Sequence, residues 1–277
     1  MRIARLLAVL ASCLLACQPA SSDTPVDASA TPAAPSNPTE PAPAEPVAPG
    51  PVAPTVPANA GAEAPAANVP DEAIVVEVWH DYSCPWCRIG MHNLNQTLLT
   101  VNVPVTVMVH PYLLDDTLPP EGVDLRQRLG ERYPGNNVET MFARVTEAGA
   151  QVGLTFNWEA VRVSPRTVAA HALTAWVDES QRTRLMHALH EAYFLRGENI
   201  GDTGVLVAIG ESIGLNPEEA RSVVTDPSRL RAIEAEVQGG SRSIRGVPYF
   251  VIGGQALSGA QPVHQLTAAI QAAIASR

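Results

Sequence analysis

Ala73-Ile74-Val75-Val76-Glu77-Val78-Trp79-His80-Asp81-Tyr82-Ser83-Cys84-Pro85-Trp86-Cys87 is the stretch on which the fold turns. Its first half is rich in β-branched residues and reads as a strand. Beyond it, Arg88 to Leu99 carries Leu94 and Leu98 at helical spacing. Strand, Cys-x-x-Cys, helix is the layout of a redox dithiol. Cys84 is expected exposed at the helix N-terminus, where unpaired N–H groups and the macrodipole favour a thiolate. Pro85 suits the first helical turn, because its missing N–H has no helical partner to lose. The two-residue spacing leaves Cys87 able to close an intramolecular disulfide.

Other uses of such a cysteine pair fit less well. A structural zinc site wants four ligands, usually a second Cys pair or a His pair. The two remaining cysteines, Cys13 and Cys17, lie in the N-terminal leader. His187 and His190 are too closely spaced for a finger pair and read as parts of one amphipathic helix. A c-type haem would need His directly after the motif, and position 88 is Arg. No metal is expected, and no cofactor beyond a redox-active Cys84–Cys87 disulfide.

With 277 residues, 46% of them hydrophobic and 17% charged, the chain suits one substantial domain plus extra segments. Its net charge of −10 argues against a nucleic-acid partner. Residues 1–17 read as a lipoprotein-type signal peptide. Arg2 and Arg5 form a basic start, an apolar stretch from Leu6 to Ala16 is too short to span a bilayer, and Leu14-Leu15-Ala16-Cys17 resembles the bacterial lipobox. That resemblance implies lipid attachment at Cys17, and Gln18 after it favours an outer over an inner membrane. An ordinary secretory leader ending in Cys is the alternative. Residues 18–70 hold 14 of the 25 prolines and no basic residue, the composition of a disordered linker. At ~3.1 Å per residue in polyproline II, it would reach on the order of 150 Å. The protein is thus expected to be exported and tethered, facing the periplasm or cell exterior.

The folded domain is placed at 71–277. A second strand, Pro104 to His110, completes a βαβ unit and so a parallel pair. From about 117 to 241 the pattern is helical. Arg166–Val177, Thr183–Leu195, Val205–Ile213 and Ser228–Gln238 stand out, and Asn216-Pro217 reads as a helix start. Strand character returns at Val247 to Ile252, followed by a Gly253-Gly254 turn and a short partner, Gln255 to Leu257. A helix from Leu266 to Ile274 closes the chain. The order βαβ, helices, ββα predicts an α/β thioredoxin fold with a helical insertion between its halves.

His80 to Gly90 (HDYSCPWCRIG), Ala170 to Leu173 (AHAL), Glu191 to Asp202 (EAYFLRGENIGD) and Gly246 to Pro262 (GVPYFVIGGQALSGAQP) resemble the DsbA-like thioredoxin superfamily. Within it they resemble the FrnE-type branch related to 2-hydroxychromene-2-carboxylate isomerases. The resemblance spans Ile74 to Ile274 and implies a thiol–disulfide oxidoreductase. It implies Cys84 as attacking thiolate, Cys87 as resolving thiol, and Val247 with a cis Pro248 as the platform on which substrate backbone pairs. Pro85 and Trp86 would flank bound substrate. The family commonly has Asn-Thr before the Ala-His helix, where this chain has Arg166-Thr167; the departure weakens the transfer of a glutathione role.

His80 and Asp81, at the strand end, either relay protons or are solvated loop residues. Glu77 is either a buried acid that deprotonates Cys87 or an edge carboxylate. His92, His110, His171 and His264 are expected to be packing residues. The partners implied are exported protein thiols and disulfides, with a further redox partner. A glutathione-dependent small-molecule isomerase or transferase, and a non-catalytic binding module or chaperone, are the competing functions.

Overall fold

The β1 strand (Ile74–His80) alternates between two environments: Ile74, Val76, Val78 and His80 are buried, while Val75, Glu77 and Trp79 are half-buried. Successive side chains point to opposite sheet faces, so this parity fixes which residues see which helix. The computed structural model describes residues 73–240 and 244–277. The leader at 1–17, the linker at 18–70 and Cys17 lie outside the described residues.

Helix α1 (Pro85–Leu98) carries the chain from β1 to β2 (Val105–Pro111), which pairs parallel with β1 from Ile74↔Val105 to His80↔Pro111. On its other side β1 pairs antiparallel with β5 (Tyr249–Ile252), and β5 turns back into β6 (Gln255–Ser258), giving the order β2-β1-β5-β6. Gly253 and Gly254 make that turn at φ 55° and 79°, the left-handed pair a two-residue hairpin needs. Helix α9 (Val263–Ala275) packs beside α1, tied by Asn93 Nδ2 donating to Gln261 O at 2.9 Å. Leu94, Val76, Phe250, Ile252, Leu266 and Ile270 share one buried core. The result is an α/β thioredoxin fold.

Between β2 and β5 lies the helical insertion: α2 (Leu125–Arg132), α3 (Val138–Ala150), α4 (Val168–Trp176), α5 (Glu179–Phe194), α6 (Thr203–Ser212), α7 (Pro217–Thr225) and α8 (Pro227–Gly240). A two-stranded ribbon, β3 (Val123–Asp124) with β4 (Val163–Ser164), accompanies them. Asn216 caps α7 by accepting from the N–H groups of Glu218 and Glu219, as its place before Pro217 predicts. Helix α5 begins at Glu179, earlier than the sequence pattern indicates, because its first turn is exposed and adds nothing to the apolar stripe. Helices α2 and α3 bury few residues, Leu125 in one and Phe142, Val145 and Gly149 in the other. The single buried residue of α2 leaves no stripe to read, whereas α3 carries Val138, Met141, Phe142 and Val145 at helical spacing.

On the sheet face away from α1, His110 stacks on Trp79 with ring centroids 4.4 Å apart. It also lies 3.3 Å from both Glu77 and Glu236, which joins α8 to β1 and β2. Burial alone lowers the pKa of His110, but hydrogen bonds and charge from Glu236 and Glu77 outweigh it and raise it to about 9. A histidine whose folded pKa is raised contributes stability that is fully present below its unfolded value of ~6.5 and lost as pH rises through the folded one. His110→Gln should therefore cost about 1 kcal/mol at neutral pH, a figure kept low because both carboxylates are partly solvated. Chemical denaturation should show that gap narrowing between neutral pH and about pH 10; a gap independent of pH would mean the pair carries no charge interaction.

Candidate active site

The N-terminus of α1 projects from the end of β1 with Cys84 as its cap residue and Pro85 in its first turn. Cys84 makes no side-chain cap, and its carbonyl accepts from the N–H groups of Cys87 and Arg88 at 3.1 and 3.3 Å. Both cysteines are free thiols. Opposite them the peptide Val247–Pro248 is cis, and Cys84 Sγ donates to Val247 O at 3.6 Å. Pro248 O in turn accepts from Gly259 N at 2.8 Å, which fastens the loop to the end of β6.

Gly90 makes this approach possible. A Cβ at that position would lie 2.7 Å from Pro248 Cγ, inside van der Waals contact, and a tight 3.3 Å from Phe250 Cζ. The first turn of α1 and the Val247–Pro248 loop therefore touch only because residue 90 has no side chain.

The two thiols differ in access. Cys87 is wholly buried, and Cys84 is 4% exposed. Cys84 is thus not the open thiol the sequence suggested, because the loop at Val247 covers it. Trp86, between the cysteines, is 39% exposed and forms the apolar surface beside the site. Burial drives the Cys87 thiol well above its ordinary pKa, and the neighbouring Cys84 sulfur adds to that. The Asp81 backbone N–H works the other way, favouring the thiolate, while the negative charge of Asp81 opposes it.

Glu77 is not the acid that faces Cys87. It sits one position out of phase, on the face of the sheet away from α1, half-exposed and paired with His110. His80 is on the dithiol side of the sheet, but both its ring nitrogens are buried without a hydrogen-bond partner. Its ring packs against Tyr82, His171 and His190 with centroids 4.7, 5.2 and 6.3 Å away. Burial, with His171 and His190 beside it, keeps His80 well below its ordinary pKa. No hydrogen bond leads from it to a cysteine, so neither a proton relay through His80 nor deprotonation of Cys87 by Glu77 has a path in this structure. Among the described residues no group of three or more His, Cys, Asp and Glu is placed to hold a metal ion.

The buried acid is Asp81. Its Oδ1 accepts from Ser83 N, Ser83 Oγ and Thr167 Oγ1 at 2.9 to 3.0 Å, and its Oδ2 from Leu114 N at 2.7 Å. Its backbone O accepts from Cys84 N at 3.1 Å. One carboxylate thus joins the end of β1, the loop after β2, the start of α4 and the turn into α1. Burial raises its pKa, with these four hydrogen bonds opposing. The sequence signal was present: an Asp two residues before Ser is an Asx-turn pattern. Thr167, which keeps the Thr of the family pattern beside the departing Arg166, is one of its donors.

A DSBA-like thioredoxin domain model matches residues 75–271. Among solved structures the chain is similar to the probable DsbA oxidoreductase of Streptomyces coelicolor, at 26% identity and TM-score 0.66, covering 74% of this chain and 91% of that one. It is also similar to a 2-hydroxychromene-2-carboxylate isomerase, at 12% identity and TM-score 0.55, covering 72% and 95%; that likeness is one of fold. No curated protein matches the chain.

Asp81→Asn removes the negative charge that opposes the Cys87 thiolate, and it turns one accepting oxygen into a donor facing N–H or O–H groups. Cys87 should therefore titrate at lower pH than in the native chain, and stability should fall by about 1–3 kcal/mol. Thiolate absorbance against pH and a denaturation curve measure the two effects. An unchanged or higher Cys87 pKa would show that Asp81 acts on the fold alone.

Proposed function

The chain belongs to the DSBA-like thioredoxin domain family, and from that premise we propose that it is a thiol–disulfide oxidoreductase acting on exported protein substrates. The single observation that carries this reading is the pairing of Cys84, at the α1 N-terminus and 3.6 Å from Val247 O, with a Cys87 sealed beneath it. A nucleophile needs a helix N-terminus and an approach path, and a resolving thiol needs to be close and shielded.

In the oxidising direction a substrate thiolate attacks Cys84 Sγ of the Cys84–Cys87 disulfide, and Cys87 leaves as thiolate. The resulting mixed disulfide joins substrate to Cys84. A second substrate thiolate attacks the substrate sulfur of that bond, Cys84 leaves, and the substrate disulfide forms as the protein gains two electrons and takes up protons. The reducing direction runs the same bonds backward, with Cys87 attacking Cys84 to release substrate. A further redox partner restores the starting state.

Substrate arrives as backbone. The Val247 carbonyl stands beside Cys84 in the loop that leads into β5, and an extended peptide can pair with that loop's backbone as a strand does. Trp86 and Pro85 supply the apolar flank. The N-terminal lipobox pattern and proline-rich linker support an anchored location, with the domain held off the membrane by residues 18–70. With both cysteines in place, nothing at the site favours the small-molecule isomerase or the binding-module alternative.

A Cys87→Ser variant keeps the nucleophile but cannot release the mixed disulfide from within. Expressed in its native envelope, it should accumulate higher-mass adducts that collapse on reduction, while Cys84→Ser forms none and loses dithiol activity. Non-reducing electrophoresis reads both, and an absence of adducts from Cys87→Ser would count against protein substrates. Cys17→Ala should move the protein out of the membrane fraction with its dithiol activity unchanged; continued membrane partitioning would refute the lipid anchor.

A further inference from the structure

Arg88, the residue after Cys87, is a buried cation. It is 6% exposed, and its one hydrogen bond runs from Nη1 to the carbonyl of Thr155 at 2.6 Å. A guanidinium has five N–H donors. Its charge lies 4.8 and 5.8 Å from the ring centres of Phe156 and Phe194, which offset part of its desolvation. Among the described residues it makes no ion pair. The acid whose field reaches it, Glu191, is paired with His187 at 3.6 Å. Buried charges are ordinarily paired, because an isolated one is costly to remove from water.

Arg88 lines a cleft of about 380 Å³ that runs along the flank of α1, between β2 and α5. Neither cysteine nor Pro248 takes part in it. Arg182 adds a second cation, and Glu179 is the only acid in its lining, so the cleft is locally positive in a chain of net charge −10. His190, 4% exposed, lines the same cleft and leaves its Nε2 without a partner. The remaining wall is mixed: an apolar stretch that includes Met91 from α1 and Val107 from β2 stands beside polar residues such as Asn95 and Thr183. Its volume falls in the range of small-molecule sites.

We propose that this cleft binds an organic monocarboxylate with an apolar body, its carboxylate on Arg88 and its hydrocarbon against Met91 and Val107. The site is separate from the dithiol, and the ligand is neither oxidised nor reduced there. One anionic head matches one buried guanidinium with free donors, and charge-assisted bonds of that kind are the strong ones in a low-dielectric setting. The apolar stretch of the wall favours a ligand with a hydrocarbon body over a bare inorganic anion, which would leave that surface wet.

Calorimetric titration of the full chain with decanoate tests this, with decanol as the uncharged counterpart and inorganic phosphate as the bare anion. Decanoate should bind at least tenfold more tightly than either. Arg88→Gln should remove the preference for decanoate over decanol, and Arg182→Gln should reduce it, which covers the case in which the Arg88 variant fails to fold. Val107→Phe, which fills the cleft, should weaken decanoate at least tenfold with dithiol activity unchanged. Equal binding of decanoate and decanol, phosphate binding as tightly as decanoate, or no decanoate binding below its micelle concentration would each overturn the proposal.

Discussion

The site rests on the close approach of α1 to the Val247–Pro248 loop, and that approach rests on a missing side chain. With any Cβ at residue 90, the Pro248 ring would have to move. If it moved, the Val247 carbonyl would leave Cys84, and the backbone with which a substrate strand could pair would lose its place beside the sulfur. Packed interiors yield little to such insertions, and overpacking typically costs ~1–3 kcal/mol. Here the larger consequence would be a displaced platform.

A second constraint comes from Asp81. Its carboxylate gathers donors from the turn into α1, the loop after β2 and the start of α4, so one buried group registers the insertion against the thioredoxin half. Buried carboxylates are tolerated when every lone pair finds a donor. The same group holds negative charge near Cys87 and so resists loss of that proton. Fold and thiol chemistry are coupled through one residue.

The central frame was legible in the sequence because it is written in strong local signals: β-branched runs, a Cys pair with Pro in the first turn, a Gly-Gly hairpin and an Asn-Pro helix start. What was missed depended on tertiary placement. Strand parity alone should have put Glu77 and His80 on opposite faces, and the face that α1 covers is the one with Val76, Val78 and His80. The shielding of Cys84 could not be read, because it comes from a loop 163 residues away. Helix α2, with only Leu125 buried, carries too little pattern to be drawn, whereas the Val138, Met141, Phe142 and Val145 stripe of α3 was there to be read. Nothing in the sequence marks Arg88 as buried; the fold encloses it.

The account makes Cys84 the reactive thiol in spite of its low exposure, and Cys87 the sealed partner. Competition between the two for iodoacetamide in the reduced protein, at mildly acidic pH and read residue by residue by mass spectrometry, tests this most directly. The helix N-terminus and the small residual exposure of Cys84 should direct alkylation there first, with the wholly buried Cys87 modified only on unfolding. Faster labelling of Cys87, or equal rates at both, would contradict the assignment of nucleophile and resolving thiol.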